Sequence, residues 1–256
     1  MMDCKNEMKR MPRWTTHIGN WGLQMLWYFL HFIVSLWYFA LCIANMLESY
    51  LISSSLLKKY KSLDIDKLRY LAIVIESEEA HQTLNVIKLL QWLVAIGAKR
   101  VCLYDAEGVL KKSKESILEK LNDAVLFEEA DDKHSGIGKK LITLEFTSLS
   151  DGKEAVVKAA NVLFQSYLKL GDSGRTQEEQ IFTEAHMSEA LRAIGCGGPD
   201  PDLLLVYGPA RCHLGFPPWR IRYTEIVHMG SLQSVRYGSL LKAIYKFTMV
   251  RQNYGK

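Results

Sequence analysis

YLAIVIESEEAHQTLNVIKLLQWLVAIGAKRVCLY, residues 70–104, decides the fold class of this 256-residue chain. Its first six residues form a short apolar run rich in β-branched side chains, which is typical of a buried strand. From Glu78 to Gly97 the apolar side chains recur at spacings of three and four, and Gly97 stands where a helix C-cap is expected. A second apolar run, RVCLY, follows at residues 100–104. The stretch therefore predicts a strand, a helix and a second strand.

The same alternation continues along the rest of the chain. Two further strands are predicted at residues 141–146 and 202–207. Helices are predicted at residues 109–121, 151–168, 183–194 and 237–251, and the second of these helices has Asp151 as its N-cap candidate. Strands that alternate with helices of about ten to twenty residues indicate an α/β domain with a mainly parallel sheet flanked by helices.

Ahead of this domain lies an apolar segment, residues 21–47, without Asp, Glu, Lys or Arg. It exceeds the roughly 20 helical residues that cross a bilayer core. The sequence therefore predicts an N-terminal tail at 1–20, a transmembrane helix at 21–47, a linker at 48–67 and a folded domain at 68–256. His31 is the single titratable histidine in the span, and a neutral imidazole is tolerated there.

Composition excludes some classes of function. The formal charge of +4 is spread over alternating acidic and basic stretches, and no nucleic-acid-binding motif is present, so we expect no nucleic acid partner. The five cysteines contain no C-x-x-C pair, which indicates neither a disulfide framework nor a metal site. This favours a cytosolic side for the folded domain, although basic residues on both flanks of the span leave the orientation open.

Three blocks of sequence follow one another in the second half of the chain. They are LSDGK at residues 149–153 with its following helix, PDPDL at 199–203 continued by LGFPPWRIRYTEI at 214–226, and NYGK at 253–256. In order and spacing they resemble the Nogo-B receptor family, the non-catalytic subunits that pair with dehydrodolichyl diphosphate synthase. The resemblance implies the cis-prenyltransferase fold, like that of undecaprenyl diphosphate synthase.

The motifs for binding diphosphate depart from those of the active members of that fold. Active members carry Asp-Gly-Asn-x-x-Arg after the first strand, where this chain reads ESEE at residues 76–79. Three carboxylates replace the phosphate cradle, and two unit charges 4 Å apart interact by roughly 4 kcal/mol at an effective dielectric of 20. The second motif, an arginine followed by R-x-S-G-E, is replaced by YGPARCH at 207–213. The resemblance therefore implies a subunit that is inactive alone.

The terminal block carries the predicted catalytic contribution. In such partner subunits the chain ends in R-x-G, whose main-chain amides help to hold isopentenyl diphosphate in the site of the catalytic subunit. Here Asn253 stands in place of that arginine and Gly255 keeps the glycine. The resemblance implies that both act in trans, with Arg251 as a substitute donor, and that Mg²⁺ is bound mainly by the partner, with no metal ligand on this chain.

The middle block is the predicted interface with the catalytic partner. Aromatic residues and arginine concentrate at protein interfaces, and this block carries Phe216, Pro217, Trp219, Arg220 and Arg222. An alternative interpretation of residues 214–226 is a loop followed by a core strand.

The function implied is that of a membrane-anchored partner subunit on the endoplasmic reticulum. The complex would extend farnesyl diphosphate with isopentenyl diphosphate, and the product would become dolichol for protein glycosylation. Two alternatives remain open at this point: a membrane receptor or scaffold without a role in prenyl transfer, and a self-sufficient enzyme with an altered phosphate site.

Overall fold

The computed structural model describes residues 13–54, 60, 63–121, 124–126, 142–171 and 183–250. Its strands are β1 (Leu71–Ile75), β2 (Arg100–Tyr104), β3 (Ala124–Leu126), β4 (Ile142–Thr147), β5 (Leu203–Tyr207) and β6 (Glu225–Gly230). Its helices are α1 (Arg13–Ser53), α2 (Ser77–Ala80), α3 (Thr83–Ile96), α4 (Val109–Lys112), α5 (Lys114–Lys120), α6 (Lys153–Gly171), α7 (Glu184–Ala193) and α8 (Tyr237–Met249).

All six strands form one sheet in the order β3-β4-β2-β1-β5-β6. Every neighbouring pair is parallel, and Leu71 of β1 lies between Val101 of β2 and Leu203 of β5. Parallel strands need crossover connections, which the helices provide here. The α/β fold class predicted from the alternating pattern is therefore confirmed, with a sheet that is entirely parallel.

The sheet is buried on both faces because alternate side chains of each central strand enter two different clusters. The first cluster packs the sheet against α3, α5 and α8, and its members include Leu71, Ile73, Leu103, Leu205, Leu90, Ile117 and Ile244. The second cluster covers the other face and holds Ala72, Val74, Cys102, Tyr104, Leu204, Val206 and Phe216. The near-continuous apolar sequence of β1 and β5 follows from this two-sided burial.

The long helix α1 is apolar and exposed through residues 21–47. Residues Trp21–Ser53 form a candidate membrane span with a mean hydropathy of 1.8 in its most apolar window. The chain divides into two compact units, Met1–Tyr50 and Leu51–Lys256. The helix continues through residues 48–53, which the sequence assigned to the linker.

Several predicted boundaries change in the structure. The predicted helix 78–97 is two helices, because the chain turns at His81 and Gln82 before α3 begins. Asp151 is instead the last residue of the one-turn 3₁₀ helix Leu149–Asp151, where its carboxylate accepts from the amide of the N-cap Ser148 at 2.8 Å and completes a capping box. Strands β3 and β6 lie at the two edges of the sheet and were not predicted as separate strands, because neither has the uniformly buried apolar run of β1 or β5.

Candidate functional site

The strand order marks one place on the sheet as the candidate functional site. From β1 the chain passes to β2 and on to the edge strand β3, adds β4 between them, and then crosses to the other side of β1 as β5. In open parallel sheets, ligands bind outside the carboxyl ends of the strands at such a switch point. Here the carboxyl-edge site comprises residues 76–79 after β1, Gly208 after β5 and Ser231 after β6.

Carboxylates dominate the β1 side of the carboxyl-edge site. Glu76 is half-buried, and its amide donates to the Tyr207 carbonyl at 3.0 Å, while Glu78 is exposed. Glu79 accepts from the Ser231 hydroxyl and, at 2.8 Å, from the Leu232 amide. Glu79 therefore fixes the turn that follows β6.

The charge of this site opposes anion binding. Within the part of the chain that the structure describes, no basic side chain forms an ion pair with Glu76, Glu78 or Glu79. Among the same residues, no group of three or more His, Cys, Asp or Glu side chains is placed to hold a metal ion. The described residues therefore do not fit Mg²⁺, and the β1 side of the carboxyl-edge site presents negative charge.

The exit of β5 lies tightly against the exit of β1. A Cβ added to Gly208 would lie 3.4 Å from the Glu76 Cβ and 3.3 Å from the Leu214 Cδ1. The Gly208 amide donates to the Gly230 carbonyl at 3.0 Å, and His228 Nε2 lies 2.8 Å from the Gly208 carbonyl oxygen. These contacts join the carboxyl ends of β1, β5 and β6, so the residues that follow β5 are tightly packed.

The turn at Leu214 and Gly215 begins the predicted interface block. Both residues have positive φ angles, 48° and 85°. The Tyr104 hydroxyl donates to the Leu214 carbonyl at 3.2 Å, and the Tyr104 ring meets the Phe216 ring edge to face at 5.5 Å between centroids. The hydroxyl of Tyr104 lies so close to Gly215 that an added Cβ would be 3.0 Å from it. Phe216 is consequently fully buried against the second face of the sheet.

Two of the three sequence blocks meet at this turn. A Cβ built on Gly152 would lie 3.4 Å from the Gly215 carbonyl oxygen and 3.8 Å from the Pro217 Cα. The glycine of LSDGK therefore allows the close approach of LGFPP, which the sequence alone did not reveal.

Arg220 joins the middle block to the sheet through a buried network. Its Nη1 and Nη2 donate to the two carboxylate oxygens of Glu145 at 2.7 and 2.9 Å, and its Nε donates to the Pro199 carbonyl at 3.1 Å. Nη2 also donates to the Tyr70 hydroxyl at 2.8 Å, and that hydroxyl donates to Glu145. Burial acts to lower the pKa of Arg220, but the hydrogen bond and charge of Glu145 outweigh burial and raise it. Arg220 is 4% exposed and stays charged.

The five predicted interface residues therefore occupy different environments. Phe216, Pro217 and Arg220 are buried within this chain, so these three residues hold the middle block against the sheet. Trp219 is half-buried and its indole donates to the Ser188 hydroxyl at 3.2 Å. Arg222 is exposed, where it pairs with Glu184. Contact of this block with a partner stays a prediction.

The terminal residues Asn253 and Gly255, and Arg251, lie outside the described residues. The helix before them can be placed: Lys67 Nζ donates to the Thr248 carbonyl at 3.0 Å. Lys67 ends the 3₁₀ turn that precedes β1, so α8 ends at the amino edge of the sheet. The described chain therefore ends at the edge opposite the carboxyl-edge site.

Comparison with known proteins places this chain among related sequences. No protein-family model matches it. It is 26% identical over 197 residues to the "Dehydrodolichyl diphosphate synthase complex subunit NUS1" of Homo sapiens, a match that covers 72% of this chain and 65% of that protein. It is 23% identical over 239 residues to the subunit nus1 of Schizosaccharomyces pombe, covering 86% of this chain and 90% of that one. The match thus spans just under two thirds of the human relative's length.

A solved structure supports the fold independently of these sequences. The crystal structure of lavandulyl diphosphate synthase from Lavandula x intermedia, in complex with dimethylallyl diphosphate, superposes with a TM-score of 0.53 at 16% identity. The superposition covers 74% of this chain and 98% of that one. The predicted cis-prenyltransferase fold and the resemblance to the Nogo-B receptor family are both confirmed.

Proposed function

We propose that this relative of the dehydrodolichyl diphosphate synthase complex subunits is a membrane-anchored, non-catalytic subunit that completes the active site of a catalytic cis-prenyltransferase in trans. The observation that carries the proposal is the carboxyl-edge site. Glu76, Glu78 and Glu79 stand where a diphosphate would bind, and the Glu79 carboxylate already accepts hydrogen bonds from Ser231 and Leu232. A site of this charge repels diphosphate, so the chain needs a partner with an intact phosphate cradle.

The position of the end of α8 supports the same proposal. That helix ends beside Lys67 at the amino edge of the sheet, which is the edge opposite the chain's own carboxyl-edge site. Gly255 would present its backbone N–H to a phosphate oxygen of isopentenyl diphosphate bound in the partner. Asn253 would donate through its amide in place of the family's arginine, which removes a bidentate contact.

The reaction served would be the cis-condensation of isopentenyl diphosphate onto farnesyl diphosphate. Each step would form a bond between the isopentenyl double bond and the allylic carbon of the growing chain, release the allylic diphosphate and lose a proton from the isopentenyl unit to form the new double bond, with Mg²⁺ held by the partner. The product would serve dolichol synthesis and protein glycosylation. Helix α1 would anchor the complex in the endoplasmic reticulum membrane, with the folded domain in the cytosol.

The test is a prenyltransferase assay with radiolabelled isopentenyl diphosphate. This chain alone, a candidate catalytic partner alone and the two together are reconstituted in vesicles and compared. Product should form efficiently only from the pair. Equal product from the partner alone would refute the proposal and favour a receptor or scaffold, and turnover by this chain alone would show a self-sufficient enzyme.

Variants of the terminal block test the contribution in trans. Gly255→Pro deletes the N–H donor, and because a hydrogen bond to a charged group contributes about 1.5–3 kcal/mol, activity of the pair should fall about tenfold or more. Lys256→Ala is the matched control, since it changes the neighbouring side chain and keeps the Gly255 amide. Equal activity of the two variants would remove Gly255 from the proposed site.

A further inference from the structure

The polar side chains of α1 follow a regular pattern. Between residues 21 and 47, apart from tryptophan, every side chain with a hydroxyl, amide, imidazole or thiol group belongs to one set. We call this set the polar stripe, and its members are Gln24, Tyr28, His31, Ser35, Tyr38, Cys42 and Asn45. Successive members are separated alternately by four and three residues.

This spacing places the whole stripe on one side of the helix. Alternating steps of four and three are the a and d positions of a seven-residue repeat, which form the seam of a left-handed helix pair. From Gln24 to Asn45 the stripe extends about 32 Å at 1.5 Å per residue, close to the roughly 30 Å of a bilayer core. Its members are exposed in the structure; Tyr28 and Tyr38, for example, are 64% and 67% exposed.

Contact with lipid is unfavourable for the polar stripe. Acyl chains offer no hydrogen-bond partner, so polar side chains in membrane helices turn toward another helix or a water-filled cavity. Within the helix, the His31 ring meets the Trp27 ring edge to face at 4.3 Å between centroids, and acyl chains offer the ring nitrogen atoms of His31 no hydrogen-bond partner. A second helix along the stripe would satisfy these groups.

The chemistry of the stripe favours an identical helix. Hydroxyl, carboxamide and neutral imidazole groups each carry both a donor and an acceptor, so each can pair with a copy of itself. Two copies of a single-pass chain have the same orientation in a membrane, so every stripe residue meets its counterpart at the same depth. A stripe of charged residues would instead need a partner of opposite charge.

We propose that α1 pairs with α1 of a second copy of this chain through the polar stripe, as a parallel left-handed helix pair within the membrane. The inference rests on the membrane anchor of the proposed function. Two subunits joined in this way would bring two catalytic partners together on one patch of membrane, without any contact between the folded domains.

Cysteine cross-linking tests the pairing directly. The full chain, without any partner, is reconstituted in phosphatidylcholine vesicles at a high lipid-to-protein ratio and treated with a mild oxidant. In a pair joined along the stripe the two Cys42 residues face each other, within the roughly 7 Å between Cα atoms that a disulfide can bridge. With Cys4 and exposed Cys212 replaced by serine, a disulfide-linked dimer is expected, and it should disappear when Cys42→Ser is added.

Relocating the thiol provides the matched control. In the Cys42→Ser background, Tyr38→Cys returns a thiol to the stripe, and Ala40→Cys places one on the opposite face at nearly the same depth. The first should restore the dimer and the second should not. Equal cross-linking from Tyr38→Cys and Ala40→Cys would overturn the proposal. An absence of cross-linking from both Cys42 and Tyr38→Cys would also overturn it, and would indicate that the polar stripe binds a different transmembrane helix.

Energy transfer between two fluorescently labelled pools measures the strength of the pairing. Gln24→Leu and Asn45→Leu should each weaken dimerisation about three- to thirtyfold, the range that measured hydrogen bonds between membrane helices correspond to. Ile33→Leu, off the stripe, should leave it unchanged, and equal effects of all three would refute the pairing through polar groups. The prenyltransferase assay of the same variants in detergent with the partner separates a failure of this inference from a failure of the proposed function.

Discussion

Replacing Arg220 with methionine tests whether the middle block is held by its buried ion pair. The guanidinium forms hydrogen bonds with Glu145, Tyr70 and Pro199 while it is 4% exposed. Arg220→Met keeps an apolar chain of similar length but leaves Glu145, whose side chain is only 18% exposed, without its counter-charge. Removing one partner of a buried ion pair costs about 3–5 kcal/mol.

That cost is large relative to the stability of a domain of this size. At about 2–4 °C per kcal/mol for a domain of 150–250 residues, Tm should fall by roughly 10 °C. The fall can be followed in detergent with a maleimide dye that fluoresces when it reacts with a thiol, after the exposed cysteines are blocked with iodoacetamide. Fully buried Cys102 then reports the unfolding of the sheet.

Two companion variants define what would refute this reasoning. Arg222→Met removes an arginine that is two residues away and paired with an exposed glutamate, and such a surface pair contributes about 0–1 kcal/mol. The double variant Arg220→Met with Glu145→Met replaces both charges by apolar groups and should recover most of the lost stability. If Arg220→Met lowers Tm no more than Arg222→Met, the network does not hold the block.

Two more predictions concern residues near this block. Gly215→Ala should destabilise the fold by about 2 kcal/mol, because it combines a positive φ of 85° with a Cβ only 3.0 Å from the Tyr104 hydroxyl. Gly195→Ala is the control, since φ there is 77° and nothing lies within 4 Å of the added Cβ. Thermal unfolding should show a smaller loss of stability for Gly195→Ala than for Gly215→Ala. Burial raises the pKa of the Cys102 thiol, so peptide mapping after alkylation at pH 8 should find exposed Cys212 modified and Cys102 unmodified until the chain unfolds. Modification of Cys102 at the rate of Cys212 would contradict its burial.

The sequence predicted the α/β class because its signal is local. The β1 run is apolar at every position, and the α3 pattern repeats at the spacing of a helix, so each element carries its own evidence. The edge strands β3 and β6 lack that signal, since an edge strand buries fewer of its side chains. The family resemblance likewise rested on order and spacing along the chain, and the relatives support it.

Only the local features of the candidate site could be predicted from the sequence. The carboxylates at residues 76–79 could be named from the sequence because they follow a recognisable strand. The sequence could not show that Glu79 binds the turn after β6, since its partners Ser231 and Leu232 are more than 150 residues away. The terminal residues Asn253 and Gly255 stay predictions, as does the contact of the middle block with a partner.

The sequence by itself determined the four inner strands of the sheet, most of the helical segments and where a membrane span can lie, because periodicity and apolar length depend only on near neighbours. Only the tertiary structure decided what the middle block does within the chain. Phe216 and Arg220 have the composition of an interface, yet Tyr104 and Glu145, from two other strands, enclose them. Burial is a property of what packs around a side chain, and long-range contacts of this kind leave no mark on local sequence.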